Sequence, residues 1–285
     1  EALASYDRAI EINQGMTLTE FKGIFWWEYI HRLWGRLIGL AFALPLLWFF
    51  LRGRIPGGLG RHLVALLILG GLQGALGWFM VQSGLSQRTD VSQYRLAAHL
   101  IAALAIYSYM LWIALTLLQG NRVASATGLD GPRRPARLVA IMVALTILFG
   151  AFVAGLNGGL VHNTFPLMAG RLIPDDAFVT APLWLDPFEN PVTAQFIHRW
   201  LALATVAAIA WLWLNGRRMA VPSPLGRRLH LLGALALLQA GLGIATLLLM
   251  VPIPLAAAHQ AGAVLLWTAA LWLLHGLRGA PASRS

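Results

Sequence analysis

The chain contains no cysteine and few charged residues, and both features restrict the classes of protein to which it can belong. Without cysteine, disulfides, thiolate metal ligands, iron–sulfur clusters and thiol catalysis are excluded. Charged residues make up 11% of the 285 residues, against about 25% in ordinary soluble domains. Hydrophobic residues make up 58%, and the mean hydropathy is +0.68. The sequence therefore predicts an integral membrane protein.

Long runs with little charge recur along the whole chain. Each is close to the ~20 residues that a helix needs to cross ~30 Å of hydrocarbon. They predict an all-α integral membrane fold with seven transmembrane helices, near residues 29–51, 62–83, 96–119, 138–160, 192–214, 229–251 and 255–277.

Acidic residues are scarce, and their placement predicts the topology. The net charge is +10, but the basic residues cluster between spans and not in one continuous patch, so no nucleic-acid partner is indicated. Basic linkers at 52–61, 120–137 and 215–228 are expected on the cytoplasmic side. The acidic amino-terminal segment and the 161–191 loop are expected outside. The carboxyl terminus is then cytoplasmic, and membrane lipid surrounds the spans.

The chain contains an internal repeat. Leu72–Gly77 matches Leu238–Gly243, and in both halves a histidine precedes the shared glutamine by 41 or 42 residues. The repeat predicts two pseudo-symmetric, parallel four-helix-bundle halves, with the first helix of the amino-terminal half absent. The predicted domains are an amino-terminal half-bundle (1–119), a cytoplasmic linker (120–137) and a carboxyl-terminal four-helix bundle (138–285).

Four histidines, His31, His99, His198 and His259, keep register with this repeat near the outer ends of predicted helices. Two imidazoles on facing helices can bracket a flat macrocycle through its iron, so the pattern predicts two haem sites, one per half. A single histidine of this kind more often caps a neighbour's carbonyl, but four in register favour ligands. Neighbouring arginines are candidates for haem propionate contacts or for snorkelling to headgroups: Arg32, Arg36, Arg95 and Arg199.

The remaining histidines are weaker candidates. His62, His230 and His275 fall at inner helix ends, where interfacial solvation accounts for them. His162 lies in the outer loop and is a candidate for contacting a ligand. Gly241 and Gly243 are interpreted as helix-packing positions.

The two halves differ in one chemical respect. Glu28 lies three residues before His31 in the first half. Gln195 lies three residues before His198 in the second half. Glu28 and His31 share a helix face at this spacing, so a carboxylate would adjoin only the first haem site. There it could move a proton or stabilise positive charge, or it could merely offset the helix dipole.

The sequence around these residues resembles that of the haem A synthase family, in its cysteine-free proteobacterial and mitochondrial branch. The resemblance runs through most of the chain, over residues 15–32, 91–100, 149–156, 163–168, 195–199 and 259–260. It implies a membrane oxidoreductase of the bacterial inner membrane that converts the methyl group of haem O to the formyl group of haem A, for supply to terminal oxidases. Two successive hydroxylations would give a hydrated aldehyde that loses water.

The resemblance also implies residue roles and partners. His198 and His259 would hold iron in a resident haem B, His31 and His99 would bind the substrate haem O, and Glu28 would be catalytic. Implied partners are an electron acceptor, haem O synthase and cytochrome oxidase assembly proteins. Two alternatives remain open: a bis-histidine di-haem electron-transfer cytochrome, in which neither haem is a substrate, and a parallel-repeat transporter.

Overall fold

The computed structural model describes residues 17–84, 91–119, 130–216 and 223–278. In these ranges the chain is built almost entirely of α-helices. They are α1 (Leu18–Leu51), α2 (Leu59–Gly84), α3 (Gln93–Gln119), α4 (Asp130–Gly155), the short α5 (Asp186–Glu189), α6 (Pro191–Gly216), α7 (Ser223–Leu248) and α8 (Ile253–Gly276). A 3-10 turn at Gly158–Leu160 follows α4.

Every helix except α5 is long and apolar enough to cross a membrane, which gives seven candidate spans among the described residues. This confirms the predicted all-α fold and its seven spans. The protein is therefore a multi-pass membrane protein, since such helices satisfy their own backbone hydrogen bonds in lipid.

The chain divides into two compact units, Glu1–Arg95 and Leu96–Ser285. In the first unit α1 packs against α2 as an antiparallel hairpin. Thr17 begins α1 with a capping box, because its side chain accepts from the Glu20 backbone while the Glu20 carboxylate accepts from the Thr17 backbone at 2.9 Å. This cap fixes where α1 starts and thus the depth of the residues that follow.

In the second unit α4, α6, α7 and α8 form a four-helix bundle. Each helix packs against two neighbours, in the ring order α4, α6, α7, α8 and back to α4. This order places α6 and α8 diagonally opposite each other. A residue on α6 and another on α8 can therefore face the same central space from opposite sides.

The apolar core of the second unit fills one half of this bundle. It is built from the beginnings of α4 and α7 and the ends of α6 and α8, with fully buried side chains such as Ile209, Leu212 and Leu232. His198 and His259 lie near the beginnings of α6 and α8, in the other half. The packed aliphatic half thus fixes the positions of the four helices, and with them the positions of His198 and His259 in the other half.

Hydroxyl groups of α3 join it to α8 through a row of hydrogen bonds. Tyr107 lies 2.6 Å from the Thr268 hydroxyl, and the Trp267 indole N–H donates to Ser108 at 2.8 Å. Towards the other end, the Thr116 hydroxyl accepts from Arg278 at 2.7 Å. Such bonds hold helices together where water is absent.

The helix ends differ from the predicted spans. The predicted span 138–160 is instead α4, which begins at Asp130 and ends at Gly155. It stops there because Asn157 adopts a left-handed backbone, with φ of 54°. The basic residues assigned to the end of the linker therefore lie in the first turns of α4. The acidic segment before residue 17, most of the linker and the carboxyl-terminal tail lie outside the described residues.

Candidate functional site

The start of α6 is fixed by a side-chain cap. The Asn190 side-chain oxygen accepts from the backbone of Val192 at 2.9 Å, and Pro191 occupies the first helical position, where its missing N–H costs nothing. His198 follows seven residues later, about 10 Å along the helix axis. The cap therefore sets the depth of His198.

His198 turns its ring towards α4. Its Nδ1 lies 3.0 Å from the carbonyl oxygen of Thr146. A Cβ at Gly150, one turn further along α4, would lie 3.1 Å from the ring carbon Cε1. A histidine whose Nδ1–H donates to a backbone carbonyl keeps the lone pair of Nε2 for a metal, so the local geometry suits an iron ligand.

His259 is held in a similar way against α7. It follows Ile253 by six residues, about 9 Å along α8, so its depth matches that of His198. A Cβ at Gly243 would lie 2.8 Å from Cε1 of the His259 ring, a distance that real Cβ atoms do not show. The side-chain amide of Gln239 lies 3.1 Å from Nδ1.

The two rings project from diagonally opposite helices into one region of the bundle. Among the residues that the structure describes, no group of three or more His, Asp or Glu side chains gathers as a site for a bare metal ion. Two imidazoles, each resting on a glycine and each with Nδ1 engaged, fit a ligand that brings its own equatorial donors, as a haem does.

The outer loop is tied down just beyond His198 by two buried side chains of α6. Arg199, which is 9% exposed, donates to the carbonyl of Thr164 at 2.6 Å and also to the carbonyl of His162. Gln195 donates to the same His162 carbonyl at 3.2 Å. Two polar atoms remain buried without a hydrogen-bond partner, Nε of Arg199 and Oε1 of Gln195.

This geometry revises the interpretation of two sequence candidates. The Arg199 guanidinium, predicted to meet a propionate, donates from both terminal nitrogens to the loop, so the loop and not a propionate holds it in place. The His162 ring lies against the Asp176 carboxylate, at 3.1 Å to one oxygen. His162 therefore contributes its backbone to the site and turns its ring to an acidic neighbour.

Asp186 organises the remainder of the loop. Its carboxylate is buried and accepts from the backbone of Phe178 at 3.1 Å and of Thr180 at 2.5 Å. Burial by itself raises the pKa of this carboxyl, but hydrogen bonds from Thr193, Thr180 and Asn190 outweigh burial and lower the pKa from 3.8 to about 2. The carboxylate therefore stays charged at all ordinary pH values.

In the first unit, Glu28 and Arg32 form an ion pair one helical turn apart on α1. Arg32, predicted to meet a propionate, thus has a carboxylate partner already. Arg36 lies exposed one turn further on, and the Arg95 guanidinium lies 5.1 Å from the centre of the Phe79 ring. The Glu28 carboxylate is partly exposed, so the pair leaves it accessible.

His31 and His99 belong to different units, Glu1–Arg95 and Leu96–Ser285. His31 follows Glu28 on α1, and His99 lies six residues after Gln93 at the start of α3. His99 therefore sits near the beginning of α3, whereas His31 lies 13 residues after Leu18, about 20 Å along α1. Their pairing around one haem stays a prediction.

One interpretation of the sequence was wrong. His275, assigned to interfacial solvation, is fully buried, with its Nε2 3.1 Å from the Thr116 hydroxyl and its ring edge against Trp112. It belongs to the contact between α3 and α8. Sequence position alone could not distinguish a buried helix end from an exposed one.

Sequence reasoning also missed the residues that hold the histidines. Thr146 acts through its backbone carbonyl, which no sequence pattern reveals. Gly150 and Gly243 make room for the rings, although Gly243 was interpreted as a packing position. Gln239 gave a detectable signal, since it recurs as Gln73 in the other half, 42 residues after His31 where Gln239 is 41 after His198.

Fold and site together define a class: multi-pass α-helical membrane proteins with a histidine pair inside a four-helix bundle. Comparison with known proteins agrees. The family model COX15-CtaA, described as cytochrome oxidase assembly protein, matches residues 1–271. The chain is 48% identical over 269 residues to a heme A synthase of Nitrosospira multiformis, covering 94% of this chain and 76% of the relative.

Further relatives extend this similarity to mitochondria. A heme A synthase of Rhodospirillum centenum is 48% identical over 268 residues, covering 94% of this chain and 71% of its own length. The human heme A synthase COX15 is 47% identical over 277 residues, covering 95% of this chain and 68% of the human protein. The chain therefore belongs to the COX15-CtaA family of cytochrome oxidase assembly proteins. These matches do not favour the electron-transfer cytochrome.

Proposed function

We propose that this chain is a membrane oxidoreductase that converts the methyl group of haem O to the formyl group of haem A. The similarity to heme A synthases over more than nine-tenths of the chain supports the activity. The histidine pair on α6 and α8 carries the structural side of the proposal. A resident haem B is held by His198 and His259, and the substrate haem O is bound by His31 and His99.

The environment of His198 and His259 supports their role as iron ligands. The Thr146 carbonyl and Gly150 orient the first ring, and Gly243 gives space to the second. Haem B supplies one-electron redox chemistry when bound. The protein residues hold the two rings at one depth and on opposite sides of the bundle interior.

Glu28 is the residue proposed to act on the substrate. It shares a helix face with His31, and the matching position of the second half is the neutral Gln195, which fits one reactive and one resident site. As the methyl carbon loses electrons to the external acceptor, the Glu28 carboxylate would accept the proton that the carbon releases or stabilise the positive charge that develops there. The Glu28 carboxylate is paired with Arg32 one turn further along α1.

The reaction requires partners that accept electrons and exchange haem. Conversion of a methyl to a formyl group with water as the oxygen source, R–CH3 + H2O → R–CHO + 4 H+ + 4 e−, releases four protons and four electrons, so an external electron acceptor is needed. Haem O synthase would supply the substrate, and cytochrome oxidase assembly proteins would receive haem A. The chain would reside in a bacterial inner membrane, with its amino-terminal segment outside and its carboxyl terminus in the cytoplasm, as the charge distribution predicts.

The direct experiment uses membranes that make haem O but no haem A. Expression of the wild-type chain should yield haem A on extraction and chromatography. Glu28→Ala should retain haem B but form no haem A, whereas Glu28→Asp should form some. A matched control is Asp175→Ala, since Asp175 is paired with Arg171 at the same helical-type spacing in the exposed loop. Normal haem A formation by Glu28→Ala would remove the catalytic role.

A further inference from the structure

Gln239 reaches from α7 to the His259 ring on α8. Its side-chain nitrogen lies 2.9 Å from the His259 carbonyl oxygen and 3.1 Å from the ring nitrogen Nδ1. Its side-chain oxygen Oε1 is buried and has no hydrogen-bond partner. One amide therefore spans both the backbone and the ring of a single histidine, with its acceptor atom unused.

The space for this amide is provided by a glycine. A Cβ at Gly262 would lie 2.2 Å from Oε1 of Gln239, so any other residue at this position would displace the amide. Gly262 is one helical turn beyond His259 on α8. The contact between Gln239 and His259 thus depends on a second position in α8 that leaves room for it.

An imidazole that binds iron through Nε2 carries its proton on Nδ1, and this proton needs an acceptor. For His198 the acceptor is the Thr146 carbonyl. For His259 the group facing Nδ1 is the amide of Gln239. As placed, the amide nitrogen of Gln239 faces both the His259 carbonyl oxygen and Nδ1. A rotation of the amide that brings the unused Oε1 to Nδ1 must also carry it away from the His259 carbonyl oxygen, because two acceptors repel each other. That carbonyl keeps its own helical partner.

We propose that Gln239 is a positioning residue for the haem ligand His259, whose Nδ1–H donates to Oε1 of Gln239 when Nε2 binds iron. The inference rests on the proposed function, because it assumes a resident haem. Gln239 then fixes the tautomer and the plane of the ring. It also increases electron donation from the imidazole to iron, which stabilises the ferric state.

The internal repeat supports a ligand-related role. The same glutamine recurs as Gln73 in the half that carries His31, within the matching Leu72–Gly77 segment. The repeat thus places an amide at the equivalent position of each half. The alternative is that Gln239 simply bonds two helices together, and the test must distinguish the two.

The test measures the resident haem itself in the purified full chain, by haem extraction, low-spin EPR and redox titration. Gln239→Leu should shift the midpoint potential of haem B to more positive values and change its EPR signal. We expect roughly a tenfold change in the ferric-to-ferrous ratio, about 59 mV for a one-electron couple. Gly262→Ala, which keeps the glutamine but displaces its amide, should shift the potential in the same direction. Leu238→Ala, at a 55% exposed neighbour, should change neither value.

Each result decides the question. Haem B retained by Gln239→Leu with wild-type potential and EPR signal would overturn the proposal and leave only a packing role. If Gln239→Leu fails to fold, the same unchanged values in Gly262→Ala would overturn it. Absence of haem B from the wild-type protein would contradict the proposed function instead, so the two failures are distinguishable.

Discussion

Glycines beside the two histidines of the second unit show how single residues determine the site. Gly150 and Gly243 carry no Cβ, and the imidazole rings of His198 and His259 occupy the space that a Cβ would need. The sequence indicated His198 and His259 as haem ligands, together with His31 and His99, because all four keep register with the repeat. It could not predict the glycine contacts, because a glycine in a membrane helix is equally expected where two helices pack closely.

Substitution of Gly243 should therefore reduce haem binding. In Gly243→Ala the new Cβ would lie 2.8 Å from the His259 ring and force the ring to move. We expect a several-fold loss of haem B from the purified protein, measured by the pyridine haemochrome spectrum. Gly241→Ala is the matched control, since nothing lies within 4 Å of a Cβ at that position. Equal haem content in the two variants would contradict the role assigned to Gly243.

At the scale of helices and loops, hydrophobicity predicted the spans well but not their connections. The seven spans follow from long apolar runs that no other structure accommodates in lipid. The outer loop depends on backbone carbonyls of His162 and Thr164 and on the buried carboxylate of Asp186, and such contacts have no sequence signature. The first turns of α4 were assigned to the linker because they carry basic residues.

The hydrogen bonds between α3 and α8 should contribute modestly to stability. In a double-mutant cycle with Tyr107→Phe and Thr268→Val, we expect a coupling free energy of about 0.6 kcal/mol, typical of hydrogen bonds between membrane helices. Thermal or denaturant unfolding in detergent measures it. The 2.6 Å contact joins the helix of His99 to that of His259, so a coupling of zero would show that it does not stabilise the fold.

The buried Asp186 should make the outer loop sensitive to acid. Because its folded pKa is lowered from 3.8 to about 2, its stabilising effect is complete above about pH 4 and is lost as the pH falls towards 2. Asp186→Asn should destabilise the protein by about 1.5–3 kcal/mol at neutral pH, the usual value for a hydrogen-bonded charged group. Asp175→Asn, at an exposed carboxylate, is the control. Unfolding midpoints of the wild type and of both variants are measured from pH 2 to 7. Equal midpoints for Asp186→Asn and the wild type would contradict the role of Asp186.

At the scale of the whole molecule, the repeat fits the proposal that one chain carries two kinds of haem site. The halves share the histidines and the glutamine but differ at Glu28 and Gln195, as expected if one half holds a haem and the other transforms one. The membrane fold, the family and the histidine pair on α6 and α8 were accessible from sequence, because they depend on composition and register. The pairing of His31 with His99 remains a prediction of that register.

Identification of the haems extracted from the purified protein tests the central claim most directly. After incubation with haem O, the wild-type chain should release haem B together with haem O and haem A, in separate chromatographic peaks. His198→Ala should lose the haem B peak, because one ligand of the resident haem is gone. Haem B as the sole pigment at both sites would contradict the account and support an electron-transfer cytochrome, whereas a protein without any Soret absorbance would exclude a haem function.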